Sequence, residues 1–316
     1  MSEAPSPFLP GTKIQYAYDS TSLGYLKTCA RLYQYIMIEG WSPKEDSIHL
    51  RFGIEYHKAL EEYDGFKLSG SSHDDALAGC VRNLLHRVRD WDVDTSHRPG
   101  NYKNPRSIVQ LVIDYFDHYK DDPTTTVIRE DGTPATELSF RFELDWGPSE
   151  INARQPYLLC GHLDRVVTFN DSIFVMDHKT TTSTISPYFF DNWSPSNQMT
   201  LYTLAGQVIL KADIKGVILD AAGVLIEKPN DFKRGFTFRT PDQLSEWLVD
   251  LKYWLTIAES YATMEYWPMN DTSCDKFGGC KFRGVCSKDP SVRDRFLEAD
   301  FIKLPEEERW NPIKPR

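Results

Sequence analysis

The apolar positions follow a helical period over the first part of the chain and then alternate. "SLGYLKTCARLYQYIMI" (22–38) carries Leu23, Leu26, Leu32, Tyr33 and Ile36 on one face. "LRFGIEYHKALEEY" (50–63) does the same with Phe52, Tyr56, Ala59, Leu60 and Tyr63. Two more helices are predicted over 73–91 and 105–120, joined by a linker rich in turn formers. From 136 the period changes to two, so 136–146, 157–169 and 172–180 read as strands, the last two meeting at Asn170-Asp171. A helix over 194–210 follows, with Ser194 as its cap and Pro195 in its first turn. Strands over 214–226 and 235–240 and a closing helix over 241–264 complete the pattern, while residues 1–20 read as an extended arm. Helices first, then strands interleaved with helices, predict an α/β (α+β) fold: a mixed central β-sheet flanked by helices.

Composition narrows this. With 316 residues, 41% of them hydrophobic, the chain can build one large domain or two small ones. A net charge of −10 argues against general binding of polyanions, so any nucleic-acid contact requires a local basic groove. The opening MSEAPSPFLP lacks the layout of a secretory leader, and no apolar run is long enough to cross a membrane. The expectation is a soluble, cytoplasmic protein. A reducing compartment argues against a disulfide framework for the six cysteines; the three crowded near the C-terminus suggest metal ligation, and the scattered three read first as small buried hydrophobes. Cys80 and Cys160 lie in apolar surroundings and read as core.

Chemistry enters with "GHLDRVVTFNDSIFVMDHKTT" (161–181). A two-residue turn at Asn170-Asp171 pairs Phe169 with Ser172, Val166 with Val175 and Asp164 with Asp177. Lys179 shares the face of Asp177 because strand side chains alternate. Two carboxylates placed opposite each other have Cβ atoms about 5 Å apart and repel. Their neighbours on that face, Val166, Ile173 and Val175, are apolar, so the acids need partners or a cation. A divalent ion with hard oxygen ligands meets the need, and so does a buried ion pair of Lys179 with one Asp.

Asp, hairpin, Asp-x-Lys resembles the core of the PD-(D/E)XK nuclease superfamily, and "GHLDRVV…IFVMDHKTT" is similar to its RecB-like branch. The resemblance implies a restriction-endonuclease-like core in a single nuclease domain over 1–316, with a helical insertion at 64–125. Two further motifs resemble the same branch. Gly53 and His57 stand four apart in "RFGIEYHKALEEY", as do Gln198 and Tyr202 in "SNQMTLY". Read without the resemblance, His57 is a core or half-exposed histidine, and Gln198 with Tyr202 a partly buried pair on an amphipathic helix. With it, His57, Asp164, Asp177 and the His178 carbonyl would hold Mg2+ or Mn2+. Lys179 would position water or offset charge, with Gln198 and Tyr202 as its neighbours in the site. Glu137, with Glu143 close by, falls where relatives often carry a Glu on the first strand.

Cys274, Cys280 and Cys286 are evenly spaced, at intervals poor for a zinc finger. Cys29 in "YLKTCARLYQY" resembles the opening of family members in which one N-terminal and three C-terminal cysteines bind a 4Fe–4S cluster, as in the AddB nuclease domain and CRISPR-associated adaptation nucleases. Ala30 replaces the usual Pro, and the first interval is longer than usual. The resemblance implies a cluster lobe from 20–40 and 265–290, with Zn2+ and free thiols as the alternatives. Arg82, Arg87, Arg89, Arg98, Lys103 and Arg106, with Tyr102, form either a wall of a DNA groove or a solvated face, since Asp90, Asp92 and Asp94 lie among them. His162 and Arg165 adjoin the motif.

The expected function is a metal-dependent DNA nuclease, most simply an exonuclease on single strands or ends. It would act in repair, recombination, phage replication or CRISPR adaptation, in a bacterial or phage-infected cell, with recombination or CRISPR proteins as partners. A catalytically silent DNA-binding or assembly module of the same fold and an iron–sulfur redox protein are the alternatives.

Overall fold

The computed structural model describes residues 5–44, 47–91, 102–148, 155–225 and 228–314. Its strands are β1 (Ala17–Tyr18), β2 (Trp41–Pro43), β3 (Thr125–Thr126), β4 (Thr136–Glu143), β5 (Leu158–Phe169), β6 (Ser172–Thr181), β7 (Ile214–Gly223), β8 (Asp231–Thr237) and β9 (Phe301–Lys303). Its α-helices are α1 (Ser20–Thr28), α2 (Ala30–Tyr33), α3 (Ile48–Leu68), α4 (His73–Val88), α5 (Pro105–His118), α6 (Pro187–Asp191), α7 (Asn197–Leu210), α8 (Pro241–Thr263), α9 (Arg283–Cys286) and α10 (Arg293–Asp300). The chain divides into two compact units. One comprises Met1–Glu45, Ser139–His162 and Pro241–Arg316, the other Asp46–Leu138 and Leu163–Thr240.

The second unit is built on the hairpin. Asn170 and Asp171 both have positive φ, 47° and 57°, the conformation of a two-residue turn whose twist suits the flanking strands. The register is the expected one: Phe169 faces Ser172 and Val166 faces Val175. β6 runs parallel to β7, with α7 in the connection between them, and β7 pairs antiparallel with β8, so the sheet is mixed. On one face, Phe52, Tyr56, Leu84, Ile108, Leu111 and Tyr115 of α3, α4 and α5 form a buried core with Ala222 and Phe232 of the sheet. On the other lies α7. Gly206 permits that approach, because a Cβ there would lie 3.0 Å from Val175 and 3.1 Å from Ile214. This is the mixed sheet flanked by helices that the sequence predicts. Cys80 is buried in the helical core.

In the first unit, β1 runs parallel to the start of β5, and β2 pairs antiparallel with β9. Phe282 stacks on Phe301 at 4.5 Å in a core with Tyr35, Val285 and Leu297. The segment 22–38, predicted as one helix, is broken. Asp19 caps α1 through a reciprocal box with Ser22, and the helix stops at Cys29, whose backbone is extended (φ −165°, ψ 120°) before α2 begins. The Arg31 N–H donates to the Pro268 carbonyl, a long-range contact that periodicity does not report. In the second unit α7 also starts later than predicted. Ser196, not Ser194, accepts from the Met199 N–H, so Pro195 lies ahead of the helix. Among the described residues no helix is long and apolar enough to cross a membrane.

The turn gives a direct test. Asp171→Gly relieves the positive φ and is expected to raise stability to urea by about 0.5 kcal/mol, whereas Asp171→Val should lower it by about 1–2 kcal/mol. A valine variant as stable as wild type would contradict the turn conformation.

Candidate active site

Asp164 and Asp177 are both buried, at 8% and 1% exposure. The ladder between β5 and β6 runs up to Arg165 and Met176, and just beyond it the side chain of Asp164 takes over, accepting the His178 N–H at 2.9 Å. The two acids have separate cationic neighbours. His57 Nδ1 lies 3.4 Å from Asp164, and Lys179 Nζ lies 2.7 Å from Asp177 Oδ2, an ion pair whose angle falls outside hydrogen-bond geometry. Lys179 also donates to Gln198 at 3.2 Å, and the Gln198 amide donates to the Tyr202 hydroxyl at 3.0 Å. The four-residue spacing on α7 thus places Gln198 and Tyr202 in line behind the lysine. The ring of Trp193 lies 4.9 Å from the same ammonium.

His57, Glu137 and Asp164 converge: one ligand atom from each lies within 4.8 Å of the others. Asp177 stands outside this group, held by Lys179. Glu137, the second residue of β4, has φ at 47°, a left-handed conformation unfavourable for a residue with a side chain, and such strain concentrates at functional sites. His57 Nε2 is 2.9 Å from the His178 carbonyl. With the Nε2 proton donated there, Nδ1 is the nitrogen turned to Asp164: protonated it pairs with the carboxylate, and deprotonated its lone pair can take an ion. This is the usual arrangement of a metal-binding histidine, whose second nitrogen is fixed by a backbone carbonyl. One imidazole nitrogen and two carboxylates suit Mg2+ or Mn2+. The His178 carbonyl, expected as a ligand, instead accepts from His57.

The electrostatics follow from burial and pairing. Burial alone would lower the His57 pKa, but the Asp164 carboxylate outweighs it and the net shift is upward. Burial would raise the Asp164 pKa, yet His57 and the charges beside it hold it well below the usual carboxylate range. Asp177 moves the other way: desolvation raises its pKa, Lys179 opposes this and Asp164 adds to it.

Sequence reasoning missed the support under His178. Its Nδ1 lies 3.3 Å from Asp220, a buried carboxylate that accepts from the Tyr115 hydroxyl at 2.5 Å and lies 3.4 Å from Arg234. Burial would raise the Asp220 pKa, but His178 and Arg234 bring it down to about 2. A lone acid in the apolar run "VILDAAG" was the available signal, the same one that marked Asp177.

Several of the basic residues that could form either a groove wall or a solvated face are paired or buried. Arg87 pairs with Glu55 and Glu62, and Arg89 with Asp90. Arg165 is held by Asp64 at 3.0 Å, and His162 Nδ1 lies 2.9 Å from the Ser139 hydroxyl. Lys103 is buried against Thr180 Oγ1 at 2.9 Å, and burial brings its pKa down to about 8. Asp92, Asp94 and Arg98 lie outside the described residues. In the first unit, Cys29, Cys274, Cys280 and Cys286 all line one cavity of about 200 Å³, and the Asn270 N–H points at Cys29 Sγ from 3.3 Å.

The acid–hairpin–acid–lysine frame and the helices around it define a nuclease fold. The chain belongs to the PD-(D/E)XK nuclease superfamily, whose family model matches residues 20–287. Among solved structures it is similar to a candidate exonuclease from Eubacterium rectale, at 12% identity and a TM-score of 0.48 over 89% of this chain and 92% of that one. It is also similar to the protein SSO0001, at 12% identity and a TM-score of 0.30 over 66% of this chain and 80% of that one. No curated protein matches the chain.

The raised pKa of His57 has a measurable consequence. Its stabilising effect is fully present below the ordinary histidine value of about 6.5 and is lost as pH rises through the higher folded-state value. Metal-free protein is therefore expected to resist urea less at about pH 8.5 than at about pH 6, with a smaller drop in His57→Gln. Equal drops in the two proteins would contradict the His57–Asp164 pairing.

Proposed function

We propose that this protein is a RecB-like, divalent-metal-dependent DNA nuclease that hydrolyses phosphodiester bonds from DNA ends. The observation that carries this reading is the convergence of His57, Glu137 and Asp164 beside the buried Lys179–Asp177 pair. His57, Glu137 and Asp164 would hold Mg2+ or Mn2+, with Asp177 as the further acid on the facing strand. A bound ion of this kind lowers the pKa of water and offsets charge on the phosphate. The other groups act by position. The His178 carbonyl keeps the imidazole lone pair turned to the carboxylates, and Asp220 keeps His178 in place. Lys179, set between Asp177 and Gln198, orients the attacking water and meets the charge that grows on the phosphate oxygens. Tyr202 fixes Gln198. Proteins of recombination, phage replication or CRISPR adaptation are the partners this reading implies.

The cysteines fit a 4Fe–4S cluster held by Cys29, Cys274, Cys280 and Cys286. Their common cavity supports it. The role of the cluster would be to tie the break after α1 to the loop after α8.

Digestion of end-labelled DNA tests the first part. Cutting is expected with Mg2+ or Mn2+ and not with chelator. Asp164→Ala, Asp177→Ala and Lys179→Ala should each lower kcat/KM by about a hundredfold or more, and Glu137→Gln by about tenfold or more. Cutting in excess chelator, or unchanged cutting by Asp177→Ala, would contradict the reading. DNA binding without metal-dependent cutting would identify a silent binding module instead. For the cluster, anaerobically purified protein should be brown and carry about four irons and four sulfides per chain, both lost in Cys280→Ser. Zinc alone on elemental analysis would overturn the cluster.

A further inference from the structure

The residues that follow the catalytic strand form an aromatic segment with no place in the core. "SPYFFDNW" (186–193) holds Tyr188, Phe189, Phe190 and Trp193, yet no residue of α6 is buried. The segment is nevertheless pinned down at three points. Ile185, 2% exposed, precedes it, and its carbonyl accepts from Lys233 at 2.9 Å. The Phe190 ring closes over Gly235 so tightly that a Cβ there would lie 2.2 Å from it. The Trp193 carbonyl accepts from Arg239 at 3.1 Å.

Of the other rings, Tyr188 faces outward, while Phe189 and Trp193 are half-buried. Tyr188 is 74% exposed. Phe189 meets Trp193 edge-on at 6.5 Å, and the Trp193 ring meets the Lys179 ammonium at 4.9 Å. Aromatic surface therefore runs up to the lysine of the acid–hairpin–acid–lysine frame. A second cation, Arg239, adjoins the segment at Trp193: it donates to Thr200, Thr237, Phe238 and the Trp193 carbonyl, all neutral oxygens. One exposed and two half-buried rings next to cations match a ligand whose flat apolar groups alternate with anions. A nucleic-acid strand has that chemistry, but only where its bases are unpaired, since a duplex keeps base faces inside its own stack.

We propose that Tyr188, Phe189 and Trp193 form a base-stacking platform that receives unpaired DNA bases beside Lys179, so that the substrate is a single strand or a frayed end. This rests on the nuclease reading for its biological sense, but it can be tested without catalysis. The experiment is fluorescence anisotropy in chelator, with a short labelled oligothymidylate, an abasic sugar–phosphate strand of equal length and charge, and a blunt duplex.

Wild type is expected to bind oligothymidylate at least about fivefold more tightly than either of the others. Tyr188→Ala and the double variant Tyr188→Ala/Phe189→Ala should lose most of that preference while their binding of the abasic strand stays unchanged. Tyr188→Trp should restore it. Tyr188 is too exposed for its loss to empty the core, and circular dichroism confirms folding of each variant. Equal binding of the thymidylate and abasic strands, duplex bound as tightly as single strand, or a folded double variant with wild-type preference would each overturn the proposal. Base-dependent binding without metal-dependent cutting of any DNA would leave the platform standing and remove the nuclease reading. Cutting without base-dependent binding would do the reverse.

Discussion

Two carboxylates, Asp164 and Asp177, are buried on the neighbouring strands of one hairpin, and the second unit is organised around giving each of them a partner. Neither is tolerable alone, because a buried unpaired charge costs several kcal/mol, on the order of 3–5 when one partner of a pair is removed. The structure divides the problem. Asp177 is given Lys179 from its own strand, two residues on. Asp164 is given a backbone N–H from His178 and an imidazole from α3. The division leaves Asp164 beside Glu137 and His57, an excess of negative charge over fixed cations at one spot. A divalent ion bound there would remove that excess.

Each partner is itself fixed from behind. His57 is oriented by the His178 carbonyl, and His178 by Asp220, which in turn engages Tyr115 and Arg234. Arg234 closes the chain with a bidentate contact to Asp122 at 2.6 and 2.8 Å. The polar network thus runs from the His57–Glu137–Asp164 cluster into the helical core, which locks the rotamers of the groups proposed to meet an ion. Groups held in this way meet an ion or a transition state without reorganising first. Lys179 is treated similarly on the other side by Gln198, Tyr202 and Trp193.

How much of this the sequence carried depended on whether the signal was local. The hairpin register followed from turn length and alternation alone, and so did the shared face of Asp177 and Lys179. The four-residue spacing of Gln198 and Tyr202 gave their alignment on α7. The break at Cys29 was not legible, because it depends on a contact between Arg31 and Pro268 far along the chain. Glu137 was no more than one of two acids on a strand until its left-handed backbone set it beside His57 and Asp164. The basic residues of 82–106 stayed open between a groove wall and a solvated face for the opposite reason: local charge counts do not reveal that Arg87 is spent on Glu55 and Glu62 or that Lys103 is buried.

Whether the paired acids exist to hold a cation is best decided by anomalous diffraction from crystals soaked in Mn2+. The account expects a manganese peak bonded to His57 Nδ1, Glu137 and Asp164, with the His57 ring still turned to the His178 carbonyl. Full soaking with no peak at that spot, or manganese bound only at surface acids, would contradict it.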